Sequence, residues 1–321
     1  MIATASLGTL PKKDLLSVAE LGPGDLETLF ETTRALKADR AAFSDHLRGK
    51  RLALIFEKES LRTRFTFDVG MQDLGGSAIF MDHRHVRLGA RESIRDMAKN
   101  LERWVDGIVA RTFKHKALEE LAANASIPVI NGLSDYQHPC QALADFYTLH
   151  ERWGDVAGRR IAYVGDGNNT CHSLMHASAL LGAHITVASP EGYEPNARVV
   201  SESMRIARES GSDVRIVNDS EEAARGADAV YTDVWASMGQ EDETEERAAI
   251  FHDFCVDEEL MALARPDAFF MHCLPAHRGQ EVTAGVIDGP RSIVYDIAEN
   301  RLHVQKAILA LLLGNGEPRA F

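Results

Sequence analysis

Short continuous apolar runs alternate with segments of helical spacing along most of the chain. The runs at 52–56 (LALIF), 77–80, 107–110, 128–130, 160–164, 184–188, 214–217, 229–232, 269–272 and 292–295 are bounded by charged or turn-forming residues and read as buried strands. Between them, apolar positions three and four residues apart predict helices over 25–38, 63–74, 94–102, 139–153, 169–181, 197–209 and 299–313. Strands alternating with helices imply parallel sheets covered on both faces, an α/β fold. The helix at 139–153 separates the first four strands from the last six, so two α/β units are expected, with a short connection at 154–159 (GDVAGR).

Composition narrows the class. A chain of 321 residues, 45% of them hydrophobic, can support two domain-sized cores. No apolar run approaches the length needed to span a bilayer, and the first residues lack the apolar core of a secretory signal. The cysteines at 140, 171, 255 and 273 lack C-x-x-C spacing, which fits a reduced, cytoplasmic protein. Thirty-five basic against 48 acidic residues give a net charge of −13, which argues against non-specific nucleic-acid binding. An acidic protein that binds an anion must gather its arginines locally, and Arg62, Arg64, Arg111 and Arg301 are the candidates. The dense acidic run at 240–249 (QEDETEERAA) reads as a solvated loop or helix face.

Five segments carry chemistry. Ser60-Leu61-Arg62-Thr63-Arg64 follows the first strand and opens a helix, placing backbone N–H groups, two hydroxyls and two guanidinium groups at one helix N-terminus; this suits a phosphate. Arg111 ends the third strand, where parallel sheets place ligand-binding residues. His138-Pro139-Cys140-Gln141 opens a helix, with His138 able to donate to a carbonyl oxygen and Gln141 one turn on. Gly165-Asp166-Gly167-Asn168-Asn169 follows a strand where a dinucleotide-binding protein carries G-x-G-x-x-G, but the third glycine is missing and no acidic residue directly ends the next strand. His272-Cys273-Leu274-Pro275 follows the ninth run. Adjacent strand residues point to opposite faces, so His272 and Cys273 are not expected to share a metal. Each segment alone has a plainer reading as a cap, a turn or a surface charge.

Together with Asp233-Val234-Trp235-Ala236-Ser237-Met238-Gly239, and in this order and spacing, these segments resemble the aspartate/ornithine carbamoyltransferase family, its ornithine-specific branch most closely. The likeness runs from about residue 15 to residue 313. It implies two parallel-sheet domains joined by two long interdomain helices: residues 1–145 for carbamoyl phosphate, 146–298 for L-ornithine, and a C-terminal helix, 299–321, packing back on the first. It also implies a homotrimer that uses no metal or organic cofactor.

By this resemblance Ser60, Leu61, Arg62 and Thr63 hold the phosphate, and Arg111 contacts both phosphate and carbonyl oxygen. His138 polarises that oxygen, while Gln141 and the Leu274 carbonyl take the carbamoyl NH2. Cys273 lies beside the attacking amine, and Arg301 completes the carbamoyl end. Asn169 and the Ser237–Met238 loop hold the amino-acid carboxylate, and Asp233 its ammonium. The implied catalytic residues are Arg111, His138, Cys273 and Arg301. Leu61 departs from the pattern, because many relatives carry a polar residue there; its backbone N–H is retained. Arg91 falls where the aspartate branch sends a loop into a neighbour's site. The competing readings are a carbamoyltransferase for putrescine, acetylornithine or succinylornithine, a nicotinamide-dependent dehydrogenase, and a non-catalytic binding protein.

Overall fold

The structure, a computed structural model, describes residues 7–81, 87–236 and 244–314. The chain divides into two compact units, Met1–Cys140 with Glu299–Phe321, and Gln141–Ala298. The boundaries fall near the start of one long helix and inside another.

The first unit contains α1 (Pro23–Ala38), β1 (Arg51–Phe56), α2 (Leu61–Asp73), β2 (Ser77–Met81), α3 (Ile94–Trp104), β3 (Gly107–Arg111), α4 (His115–Asn124) and β4 (Val129–Leu133). Its four strands are parallel in the order β2-β1-β3-β4. The central strand β3 is buried along its whole length and β1 everywhere but its first residue, as parallel strands covered on both faces must be. On one face Ala53, Ile55, Ile108 and Ala110 pack with Ala98 of α3 and with Leu118 and Leu121 of α4.

Helix α5 (Pro139–Trp153) leads into the second unit, which holds β5 (Arg160–Val164), α6 (Asn169–Leu180), β6 (His184–Ala188), α7 (Ala197–Ser210), β7 (Val214–Val217), α8 (Ser220–Ala224), β8 (Ala229–Thr232), α9 (Thr244–Ile250), α10 (Glu258–Leu263), β9 (Phe269–His272) and α11 (Ala284–Ile287). The five strands are parallel in the order β7-β6-β5-β8-β9.

The tenth expected strand, at 292–295, is not one. Ser292 makes only an isolated bridge to Phe270, and α12 (Val294–Leu313) begins two residues later. Val294, Ile297, Arg301, Val304 and Ile308 are buried at helical spacing while Tyr295 is exposed, so the apolar run belongs to a helix face. A run this short does not distinguish the two periods.

Both sheets have one place where the strand order reverses, between β1 and β3 in the first and between β5 and β8 in the second. Loops leaving the carboxyl ends of such a pair diverge to opposite faces and leave a crevice for a ligand.

Candidate active site

In the first unit, Ser60 caps α2: its Oγ accepts from the Thr63 backbone N–H at 3.2 Å, fixing the turn that follows β1. Arg111 ends β3, its Cα paired in register with Phe56, and its carbonyl accepts from the Glu57 N–H at 2.8 Å. Glu57 in turn accepts from the backbone N–H groups of Leu88 and Phe113, both at 2.8 Å, which ties together the segments after β1 and β3. The buried Asn131 amide donates to the Leu16 carbonyl at 2.9 Å and to the Gln137 carbonyl at 3.3 Å, shaping the turn before His138. From α12, Arg301 Nη2 donates to Thr63 Oγ1 at 3.0 Å.

Arg111, His138 and Arg301 are 7%, 5% and 2% exposed. Burial, followed by the charges of Arg301, Arg111 and Arg62, holds the His138 imidazole well below its usual pKa, so it is neutral. A neutral imidazole keeps one N–H with which to donate to a developing oxyanion, while the three guanidinium groups supply the positive charge. Burial pushes the Cys140 thiol up to about 12, which removes it as a nucleophile. Arg64, expected among the anion-binding cations, instead lies over the Phe80 ring at 3.8 Å and is solvent-exposed. The α2 helical repeat turns it away from Thr63.

The second unit carries a cluster of opposite character at the ends of β5, β8 and β9. Asp233, just past β8, accepts from the Cys273 thiol at 3.0 Å and its own neighbour's N–H (Val234) at 2.8 Å through Oδ1. Its Oδ2 accepts from Asn168 Nδ2 at 3.0 Å. Asn168 is the N-cap of α6, its Oδ1 accepting from the backbone of Thr170 and Cys171 at 2.9 and 3.1 Å. Asn169, the expected carboxylate ligand, is the first helical residue and half-buried. The loop before it needs its glycines: Gly165 has φ +135°, and a Cβ on Gly167 would lie 2.2 Å from the Pro195 nitrogen. Gln141, at the start of α5, is buried, and its Nε2 donates to Asp145 at 2.9 Å.

His272 and Cys273 do not point apart as strand alternation predicts. Their ligand atoms and an Asp233 oxygen lie within 4.8 Å of one another. Cys273 stands beyond the end of β9, and Leu274 adopts φ +58°, so the two-residue period has ended there. His272 Nδ1 accepts from the Leu274 N–H at 2.8 Å, and Nε2 lies 3.3 Å from the buried Glu281 carboxylate. With Nδ1 taken up accepting the Leu274 N–H, that nitrogen's lone pair is not available, and the three donors are a poor metal set.

The sequence reading missed two residues of this cluster. Asn168 is one, although an asparagine just before a helical pattern is a cap signal. Arg247 is the other. Inside the run read as a solvated acidic face, it is buried, donates to the Trp235 carbonyl at 2.8 Å, lies 3.4 Å from Asp166, and stands over the Tyr193 ring at 5.0 Å. Ser237, Met238 and Gly239 lie outside the described residues.

Comparison with known proteins gives these clusters a common context. The carbamoyl-P binding domain model of the aspartate/ornithine carbamoyltransferases matches residues 13–151, and the Asp/Orn binding domain model matches residues 157–312. The ornithine carbamoyltransferase of Pyrococcus abyssi is 52% identical over 308 residues, 95% of this chain and 97% of that protein. The crystal structure of the Thermus thermophilus ornithine carbamoyltransferase is 48% identical with a TM-score of 0.86, covering 95% of this chain and 100% of that one. The solved ornithine carbamoyltransferase of Pyrococcus furiosus is 49% identical with a TM-score of 0.93, covering 97% of this chain and 100% of that one. With both domain models matched in order and relatives near half identity along almost its whole length, the chain belongs to the aspartate/ornithine carbamoyltransferase family.

Proposed function

We infer that this chain is an ornithine carbamoyltransferase, transferring the carbamoyl group of carbamoyl phosphate to the δ-amine of L-ornithine to give L-citrulline and phosphate. The observation that carries the reading is the presence of two clusters of opposite chemistry in one chain, each built around a buried charged or polar side chain. One offers guanidinium groups and a neutral imidazole; the other offers a carboxylate, an amide and a thiol. Carbamoyl phosphate needs the first and the ammonium of an amino acid the second.

The residue roles follow from that chemistry. Ser60, Arg62, Thr63 and the Leu61 backbone hold the phosphate, with Arg111, and Arg301 completes the carbamoyl end. Thr63, Arg111 and His138 stabilise the oxyanion, and Gln141 and the Leu274 carbonyl accept from the carbamoyl NH2. Asn169, Asp233 and the Ser237–Met238 segment hold the amino acid, with Cys273 beside the reacting amine. The δ-amine has a lysine-like pKa of about 10.4 in water and must shed a proton to attack. The neutral nitrogen then bonds to the carbonyl carbon, the carbon–oxygen bond to phosphate breaks, and the nitrogen gives up its extra proton. We therefore expect kcat/KM to rise with pH through neutrality, whereas a flat profile from about pH 6 to 9 would contradict amine deprotonation as a controlling step.

The same site serves citrulline synthesis and its phosphorolysis. We further propose a cytoplasmic homotrimer. None of the four cysteines forms a disulfide, and none of the described helices is long and apolar enough to cross a membrane. Exposed Leu61 and Phe65 share a face of α2, and exposed Ile79 and Met81 a face of β2, so the first unit presents apolar surface to a partner. Sedimentation analysis checks the trimer. Citrulline formation from carbamoyl phosphate and ornithine, with putrescine, acetylornithine, succinylornithine and aspartate in parallel, tests the activity. Turnover with ornithine alone is expected; turnover with another amine would overturn the amino-acid assignments, and none at all would overturn the function.

A further inference from the structure

A carboxylate with no direct role in the reaction above stands one turn beyond Gln141. Asp145 is fully buried on α5, four residues on and so on the same helix face. Its Oδ1 accepts from Gln141 Nε2 at 2.9 Å, and its Oδ2 accepts from the Tyr231 hydroxyl at 3.3 Å. Tyr231 belongs to β8, where it is held by register with Tyr163 of β5, the two rings stacked with centroids 5.9 Å apart. Burial first, and Asp145 next, raise the Tyr231 pKa well above its ordinary value, so the phenol keeps its proton and serves as a donor.

These contacts decide which way an otherwise ambiguous side chain faces. A glutamine amide presents a donor on one side and an acceptor on the other, and the two can exchange by rotation about one bond. Both Asp145 oxygens act as acceptors, Oδ1 from Gln141 and Oδ2 from Tyr231, so the NH2 side of the Gln141 amide is the one that faces it. The Gln141 Oε1 is therefore turned away from Asp145.

We infer that Asp145 is a positioning residue for substrate selection: it locks the Gln141 amide with its NH2 toward Asp145 and Oε1 on the opposite side, so that the site favours an acyl phosphate carrying NH2 over one carrying a methyl group. The inference rests on the assignment of Gln141 to the carbamoyl NH2. The contact it sets exists in the bound substrate as well as in the transition state, so its loss raises KM for carbamoyl phosphate more than it lowers kcat.

The test compares carbamoyl phosphate as substrate with acetyl phosphate, its methyl counterpart, as a competitive inhibitor. Asp145→Ala leaves Gln141 Nε2 without its buried acceptor, and we expect the preference for carbamoyl over acetyl phosphate to fall about tenfold or more. The conservative Asp145→Asn, which keeps an acceptor oxygen, should return most of that preference. Combining Asp145→Ala with Gln141→Leu should cost no more preference than Gln141→Leu alone, since the oriented group is then already gone. Equal weakening of both acyl phosphates in Asp145→Ala, or no change in either, would overturn the inference. Should that variant not fold, Gln141→Glu supplies the check: alone it sets two carboxylates together and should lose affinity for carbamoyl phosphate. Adding Asp145→Asn should restore it, and failure to restore it would also overturn the inference. Wild-type protein that produces citrulline yet does not prefer carbamoyl to acetyl phosphate would refute the role of Gln141 itself, a separate failure.

Discussion

The two clusters are built from the same architectural parts and reach opposite electrostatic ends. Each lies at the carboxyl edge of a parallel sheet, beside the reversal in strand order, and each uses a side-chain cap on the helix that follows a central strand. In the first unit the cap is Ser60, and cations are brought to it from Arg62, Arg111 and Arg301. In the second the cap is Asn168, which spends its other amide end on holding Asp233. A sheet edge therefore does not dictate the sign of its ligand. The sign comes from which side chains distant segments deliver, and a protein with net charge −13 still gathers three guanidinium groups around one imidazole.

The contrast can be broken at its strongest point. Replacing Arg111 by Met removes a buried positive charge, and if it serves the phosphate and oxyanion as proposed, kcat/KM for carbamoyl phosphate should fall about a thousandfold in steady-state assays. Asp233→Asn strikes the other cluster. We expect KM for ornithine to rise about thirtyfold or more, with KM for carbamoyl phosphate little changed. Similar effects of Asp233→Asn on both substrates would dissolve the division of labour.

A third test separates stability from catalysis. His138 in the first unit and His176 in the second are both held neutral, His138 by burial and the neighbouring arginines, and His176, down to about 4, by burial and by His172. The unfolded chain takes up a proton on each near pH 6.5 while the folded chain does not. Stability is therefore full above that pH and declines as the pH falls toward each folded value. Melting temperature should drop from pH 6.5 to 4, and His176→Gln should remove up to about 1.4 kcal/mol per pH unit of that slope. His176→Gln should leave turnover near that of the parent at pH 8, whereas a His138 variant should not. The smallest effect belongs to Leu61→Thr: the side chain is exposed and only its backbone N–H is assigned to phosphate, so KM for carbamoyl phosphate should change less than about twofold.

Much of this architecture is written in local pattern. The strands at 160–164, 184–188, 214–217, 229–232 and 269–272 and the helix at 139–153 stand where the apolar runs place them. Parallel strands buried on both faces leave continuous apolar runs, and long helices leave a regular stripe. The short helices α8 (Ser220–Ala224), α10 (Glu258–Leu263) and α11 (Ala284–Ile287) span too few turns to do so, and α12 swallowed a run that imitates a strand. In the site, residues next to strand ends were legible because topology fixes where strand ends go. Arg64 and Arg247 were not. A charge in a helical or acidic stretch looks solvated until tertiary packing supplies the Phe80 ring or the Trp235 carbonyl that claims it. Asp145 was equally hidden, since nothing local says that a helical aspartate is buried under a tyrosine from a strand 86 positions later.

The hydrogen bond from Arg301 to Thr63 joins groups 238 positions apart. A ribosome adding about 5–20 residues per second takes on the order of tens of seconds to cover that interval. The first sheet and the Ser60 cap are therefore synthesised well before Arg301 emerges. Until α12 has been made and folded against the first sheet's segments, Thr63 lacks its guanidinium donor, and the anion site proposed around it stays incomplete.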